Sequence, residues 1–349
     1  MPTITVHNTL DLLEPLFTAD IHPRDLLARA QETILNPDGL QPHILKPLSD
    51  EAETNGAAIM RLAAQDGASV LASQQGWGLF NPTRHRDASR WQFARFRQLD
   101  ILTRLQDWLQ QAQASLPPAA QTNIHVYLLP ADPANRPLMI DAAGISIFAH
   151  KDTIALQLLP SDGNLQRLPY ALARALVHNA RKAHHPLHTL ADWLALEGLA
   201  ALYIGHIFPD CPTPYWAAPH MPPPDHEQTL DHIAAFSGLD SYSALPVNVY
   251  GNVQPVGDHR PPPPHIPDAE MLDYLLAVAL ENRAETQPHR LAALLYGDER
   301  LANLGYDGVG MTAFGGFCAA QTLVEQALNA TARPLSEALF LPSDELLGG

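Results

Sequence analysis

Along the central part of the chain, apolar and polar positions alternate with well-marked periods. From Phe93 to Leu116, the residues Ile101, Leu102, Leu105, Trp108 and Leu109 recur at helical spacing, which predicts one amphipathic helix ended by Pro117 and Pro118. Three runs rich in β-branched and aromatic residues follow, at Ile124–Leu129, Gly144–Ala149 and Thr153–Leu159, and these read as strands. The pair Lys151-Asp152 implies a tight connection between the second and third. Ser161 to Asn164 supply a turn and an N-cap, and helical periodicity then runs from about Leu165 to His184, with Pro169 near the first turn, where proline is tolerated. Pro186 breaks that helix. Thr189, with Asp192 three residues on, is a capping-box pattern opening a second helix from Leu190 to about Gly205.

The flanks are less regular. The first hundred residues suggest a short strand at Thr3–Val6 and helices broken by Pro and Gly, such as Pro23–Leu35 and Asp50–Ala72. Residues 208–267 are dense in proline, including Pro222–Pro224 and Pro261–Pro264, with one short helix near Leu230–Ala235; this insertion reads either as a solvated linker or as a segment that covers a cleft or binds a partner. Helices at about Asp268–Asn282, Arg290–Tyr296, Ala313–Asn329 and Leu335–Leu339 close the chain. The expected division is a helical region over residues 1–100 and a main domain over 101–349 that carries the insertion. The expected fold class is α+β.

Charge narrows the partners. With 37 acidic against 21 basic residues the formal charge is −16, which repels phosphate backbones and anionic membrane surfaces, so neither nucleic acid nor membrane is expected. Met1–Leu10 has no basic stretch followed by an apolar run, so it does not read as a secretory signal. Two distant cysteines, Cys211 and Cys318, make neither a disulfide framework nor a cysteine metal site, and a reducing cytoplasm is the expected setting. Cys318 reads as a small core residue. The Gly305–Gly310 segment follows a helix rather than a strand and is a weak nucleotide signal.

The chemistry concentrates in the two central helices. Their segments Val177-His178-Asn179-Ala180-Arg181-Lys182 and Glu197-Gly198-Leu199-Ala200, preceded by the strands above and followed by Gly316-Phe317-Cys318-Ala319-Ala320-Gln321, resemble the YjaZ-like predicted zinc-dependent proteases, a bacterial family with a gluzincin-type motif. The resemblance runs from Leu105 to the C-terminus and implies a mostly helical zincin-like fold whose small mixed sheet packs on the metal-motif helix. It also implies an H-E-x-x-H helix, in which two histidines at i and i+4 grip one zinc and the intervening glutamate polarises water, completed by a distant carboxylate.

Here His178 and Glu197 stand at two ligand positions. Asn179 stands at the general-base position, Lys182 at the second histidine, and Phe317 and Gln321 where the resemblance implies tyrosines. A protonated amine cannot ligate zinc, an amide cannot take a proton at neutral pH, and loss of general-base help alone costs about 10²–10⁴ in rate. The resemblance with these replacements implies a catalytically inactive or impaired homologue that binds a peptide or protein, with no cofactor.

Glu197 lies on the stripe of Leu190, Trp193, Leu194, Ala201 and Ile204, so its carboxylate is expected to be buried and to need a partner, and Lys182 is the expected cation. His178 itself is either a residual ligand or a hydrogen-bonded core histidine. An alternative is an active metallopeptidase with a rearranged zinc site using His184, His185 or His188 with Glu197; a purely structural protein is the third reading. His206, nine residues past Glu197, falls on the opposite helix face.

Overall fold

The computed structural model describes residues 2–18, 21–22, 25, 29, 86–132, 138–139, 143–211, 214–218, 225–236, 266–298 and 307–348. Most of the helix expected at 23–35, the helix expected at 50–72, most of the insertion, and Gly305 and Tyr306 lie outside these residues. Within them the protein is α+β. A four-stranded sheet in the order β1 (Ile4–His7), β2 (Ile124–Pro130), β4 (Thr153–Leu158), β3 (Ile145–His150) has parallel β1/β2 and β2/β4 pairs and an antiparallel β3/β4 pair. The last pair turns at Lys151, which takes a left-handed conformation. Both central strands are buried almost continuously, as expected of strands covered on two sides.

The N-terminal segment joins this sheet: β1 extends it at the edge, and Leu13, Phe17, Phe93 and Phe96 from α1 (Thr9–Thr18) and α2 (Arg86–Gln98) enter the main core. The single helix expected over Phe93–Leu116 is two, α2 and α3 (Ile101–Ala114). Asp100 breaks them apart by adopting φ 47°, ψ 48°, a conformation its short polar side chain tolerates, and it accepts a hydrogen bond from Thr103.

Two helices position everything that follows. α4 (Asp162–Lys182) starts three residues earlier than its periodicity suggests, because Ser161 Oγ accepts the Asn164 N–H; Pro169 therefore sits in the second turn. α5 (Leu190–Ile207) opens on the expected capping box of Thr189 and Asp192. It is apolar nearly all round, as befits a core helix, and although long and apolar enough to cross a membrane by composition, 78% of it is buried inside the protein.

α4 packs on β3, α3 and α5. The remaining helices are α6 (His226–Phe236), α7 (Ala269–Glu281), α8 (Pro288–Tyr296), α9 (Gly315–Thr331), α10 (Leu335–Ala338) and α11 (Ser343–Leu346). α5 and α9 approach so closely at Gly198 that a Cβ there would run into the Ala320 carbonyl and Val324, which accounts for glycine beside Glu197.

Candidate functional site

Glu197 is the centre of the buried polar structure between α4 and α5. Its side chain is 2% exposed, and both oxygens are occupied: Arg174 donates from Nε to Oε2 at 2.9 Å and from its NH2 group to Oε1 at 2.6 Å, and His178 Nε2 lies 3.3 Å from Oε2. Arg174 and His178 share a helix face, one turn apart. The guanidinium also hydrogen-bonds the Tyr296 hydroxyl and lies over the Phe317 ring, 5.7 Å from its centroid. Tyr296, Phe314 and Phe317 pack against one another edge-on or tilted, which fixes the ring beneath the cation.

The protonation states follow from this packing. Burial alone would raise the Glu197 carboxyl, but Arg174 and His178 hold it well below the usual carboxylate range. Burial likewise disfavours the Arg174 charge, and Glu197 more than restores it. His178 is pushed down to about 4, chiefly by burial, with Arg174 and Lys182 acting in the same direction against Glu197. At neutral pH the group is thus one cation, one anion and a neutral imidazole.

The other motif positions turn away from Glu197. Asn179 is buried; its Nδ2 donates to the Thr153 carbonyl at 3.5 Å and its Oδ1 has no hydrogen-bond partner. Lys182 donates to the Ala149 carbonyl at 3.4 Å. The expected Lys182–Glu197 pair is therefore corrected: the cation is Arg174, because the two helices leave a short turn in opposite directions and Glu197, deep in α5, comes level with the middle of α4 rather than its end. Sequence reasoning confined to the motif positions missed Arg174, although its spacing four residues before His178 placed it on the right face.

The remaining sequence candidates fall into two groups. Phe317 is buried at the site, while Gln321 is half-buried one turn further along α9. His184 packs edge-on against Phe340, His185 lies near Arg181, which helps burial lower its pKa, and His188 is exposed at the inter-helix turn. His206 is exposed. Among the described residues no group of three or more His, Cys, Asp or Glu side chains is arranged to hold a metal ion.

A narrow recess opens beside the pair, lined by Arg174, Glu197, Ala200, Tyr215, Trp216 and Phe317, and its free interior admits about one water molecule. Tyr215 and Trp216 come from the first part of the insertion, so its described residues 214–218 fold over the site instead of trailing into solvent; Trp216 and Ala217 belong to the core. No local sequence signal marks these two aromatics as neighbours of Glu197.

Residues 106–241 match the family model described as Predicted Zn-dependent protease (DUF2268). Over that span the chain is similar to this protease-related family. The matched span carries α4, α5, His178 and Glu197, so the resemblance read from the motif residues holds where the chemistry would be. No curated protein and no solved structure matches the chain.

The residues present do not fit the family's zinc. A tetrahedral catalytic zinc needs three protein ligands and an open position. Here the carboxylate is spent on a guanidinium, the second histidine position is an amine bonded to the sheet, and the base position is an amide with an unpartnered oxygen.

Proposed function

We propose that the protein is a non-hydrolytic relative of the zinc-dependent proteases that acts by binding a peptide or protein. The observation that carries this reading is that Asn179 and Lys182 attach to backbone carbonyls of Thr153 and Ala149, so the motif positions turn neither a general base nor a second histidine toward Glu197. Among the described residues no base is positioned to give rate help at Glu197, and no third protein ligand of the kind a catalytic zinc requires joins His178 and Glu197.

The surface beside the pair supports a binding role. Tyr215, Trp216 and Phe317 give the recess aromatic walls, a composition enriched at recognition sites. Quenched fluorescent peptide libraries incubated with the purified full chain and excess zinc test the claim. The expected result is no cleavage above a protein-free control; cleavage that disappears on Glu197→Gln would contradict it.

A further inference from the structure

The buried group around Glu197 is balanced without a metal. Arg174 and Glu197 carry opposite charges and meet through two parallel hydrogen bonds, and His178 Nε2 lies 3.3 Å from the same carboxylate. A divalent cation added to this set would leave two uncompensated positive charges in a site where Glu197 is 2% and His178 11% exposed at the side chain. Uncompensated buried ions are penalised by several kcal/mol each.

Geometry adds to charge. The planar guanidinium presents two parallel N–H groups that match the two carboxylate oxygens, an arrangement an ammonium cannot reproduce. Tyr296 on α8 also hydrogen-bonds the guanidinium and Phe317 on α9 packs against it, so two further helices hold the cation. Glu197 Oε2 is additionally shared with His178, which removes the second donor from metal binding.

We infer that Arg174 is a resident cation that excludes metal from this site, and that replacement of the ligand at position 182 is secondary to it. The inference deepens the non-hydrolytic reading and rests on it only in taking the site to be metal-free. It separates two routes by which such a centre could be lost. If the missing ligand were decisive, restoring it would restore binding. If Arg174 is decisive, restoring the ligand alone does nothing.

The test compares Lys182→His with the double variant Arg174→Met, Lys182→His, each in the full chain and titrated with Co(II), whose four-coordinate complexes absorb in the visible. The double variant supplies two histidines at i and i+4 and a freed carboxylate, a donor set that suits zinc and cobalt. We expect no visible band for Lys182→His and a saturable one for the double variant, with at least tenfold tighter Co(II) affinity. Comparable binding by both variants overturns the inference. Circular dichroism during the same titration covers the case in which the double variant unfolds without metal, because ligand sites of this kind gain structure on binding. Metal-induced refolding supports the inference; an unfolded chain that Co(II) leaves unchanged counts against it. Peptide cleavage by the unaltered chain would refute the non-hydrolytic reading without touching this comparison.

Discussion

Two arginines seven residues apart on α4 are both withdrawn from solvent, and they are accommodated in opposite ways. Arg174 is matched charge for charge by Glu197. Arg181, fully buried, is held chiefly by neutral acceptors: it donates to the carbonyls of Leu339 and Leu341 and to Ser343 Oγ, and that hydroxyl in turn donates to Asp192 at 2.7 Å. The Arg181 cage fastens the C-terminal segment to the turn between α4 and α5. Asp192 also caps α5 through Thr189, so one carboxylate serves both the helix start and the tail. The comparison teaches that an ion pair between two buried charges is the more fragile arrangement, because removing either partner strands the other, whereas a carbonyl cage loses only hydrogen bonds.

The largest effect should therefore come from the Arg174 side. Arg174→Met should lower stability by about 3–5 kcal/mol, the cost of leaving a buried charge unpaired, measured by denaturant unfolding. Lys182→Ala, by contrast, strands no buried partner charge at Glu197 and should cost less, about 1 kcal/mol. Equal losses would restore Lys182 as the partner of Glu197. Arg181→Met should fall between, at about 2 kcal/mol, since buried acceptors lose donors but no formal charge is stranded. A loss larger than that of Arg174→Met would reverse the comparison.

Acid should distinguish the regions more finely. His178 is pushed from an ordinary value near 6.5 down to about 4, so the unfolded chain takes up a proton that the folded chain refuses. Its contribution is fully present above pH 6.5 and is lost progressively as pH falls from there toward 4. Glu197, held below its ordinary value, adds a loss in the same direction at lower pH. His185, near Arg181, is also shifted downward by burial, with Arg181 adding to it, and behaves with the same sign. His178→Gln should flatten the stability profile between pH 6.5 and 4 more than His185→Gln does, read from denaturation midpoints across that range.

Much of this was legible in the sequence, for reasons that can be named. The capping box at Thr189 and Asp192, the strand runs and the periodicity of α4 and α5 are local patterns, and local patterns survive folding. The buried position of Glu197 followed from its apolar stripe. Its partner was not read correctly, because that depends on how far along two antiparallel helices each residue sits. Counting outward from the turn at about 1.5 Å per residue, Glu197, seven residues into α5, comes level with a residue about seven back from Lys182, which is next to Arg174. That count was available from the sequence. The contributions of Tyr296, Phe317, Tyr215 and Trp216 were not, since only tertiary packing brings α8, α9 and residues 214–218 to the same carboxylate. The break at Asp100 was hidden for another reason: the apolar period continues across it while one residue's backbone does not.

The central claim, that an arginine stands in the place of a metal at Glu197, is tested most directly by the metal content of the unaltered full chain. The protein would be purified without an affinity tag, supplemented with zinc, dialysed exhaustively and submitted to elemental analysis. The account predicts folded protein with far less than one zinc per chain, unchanged by His178→Ala. Near-stoichiometric zinc that is lost on His178→Ala would contradict it.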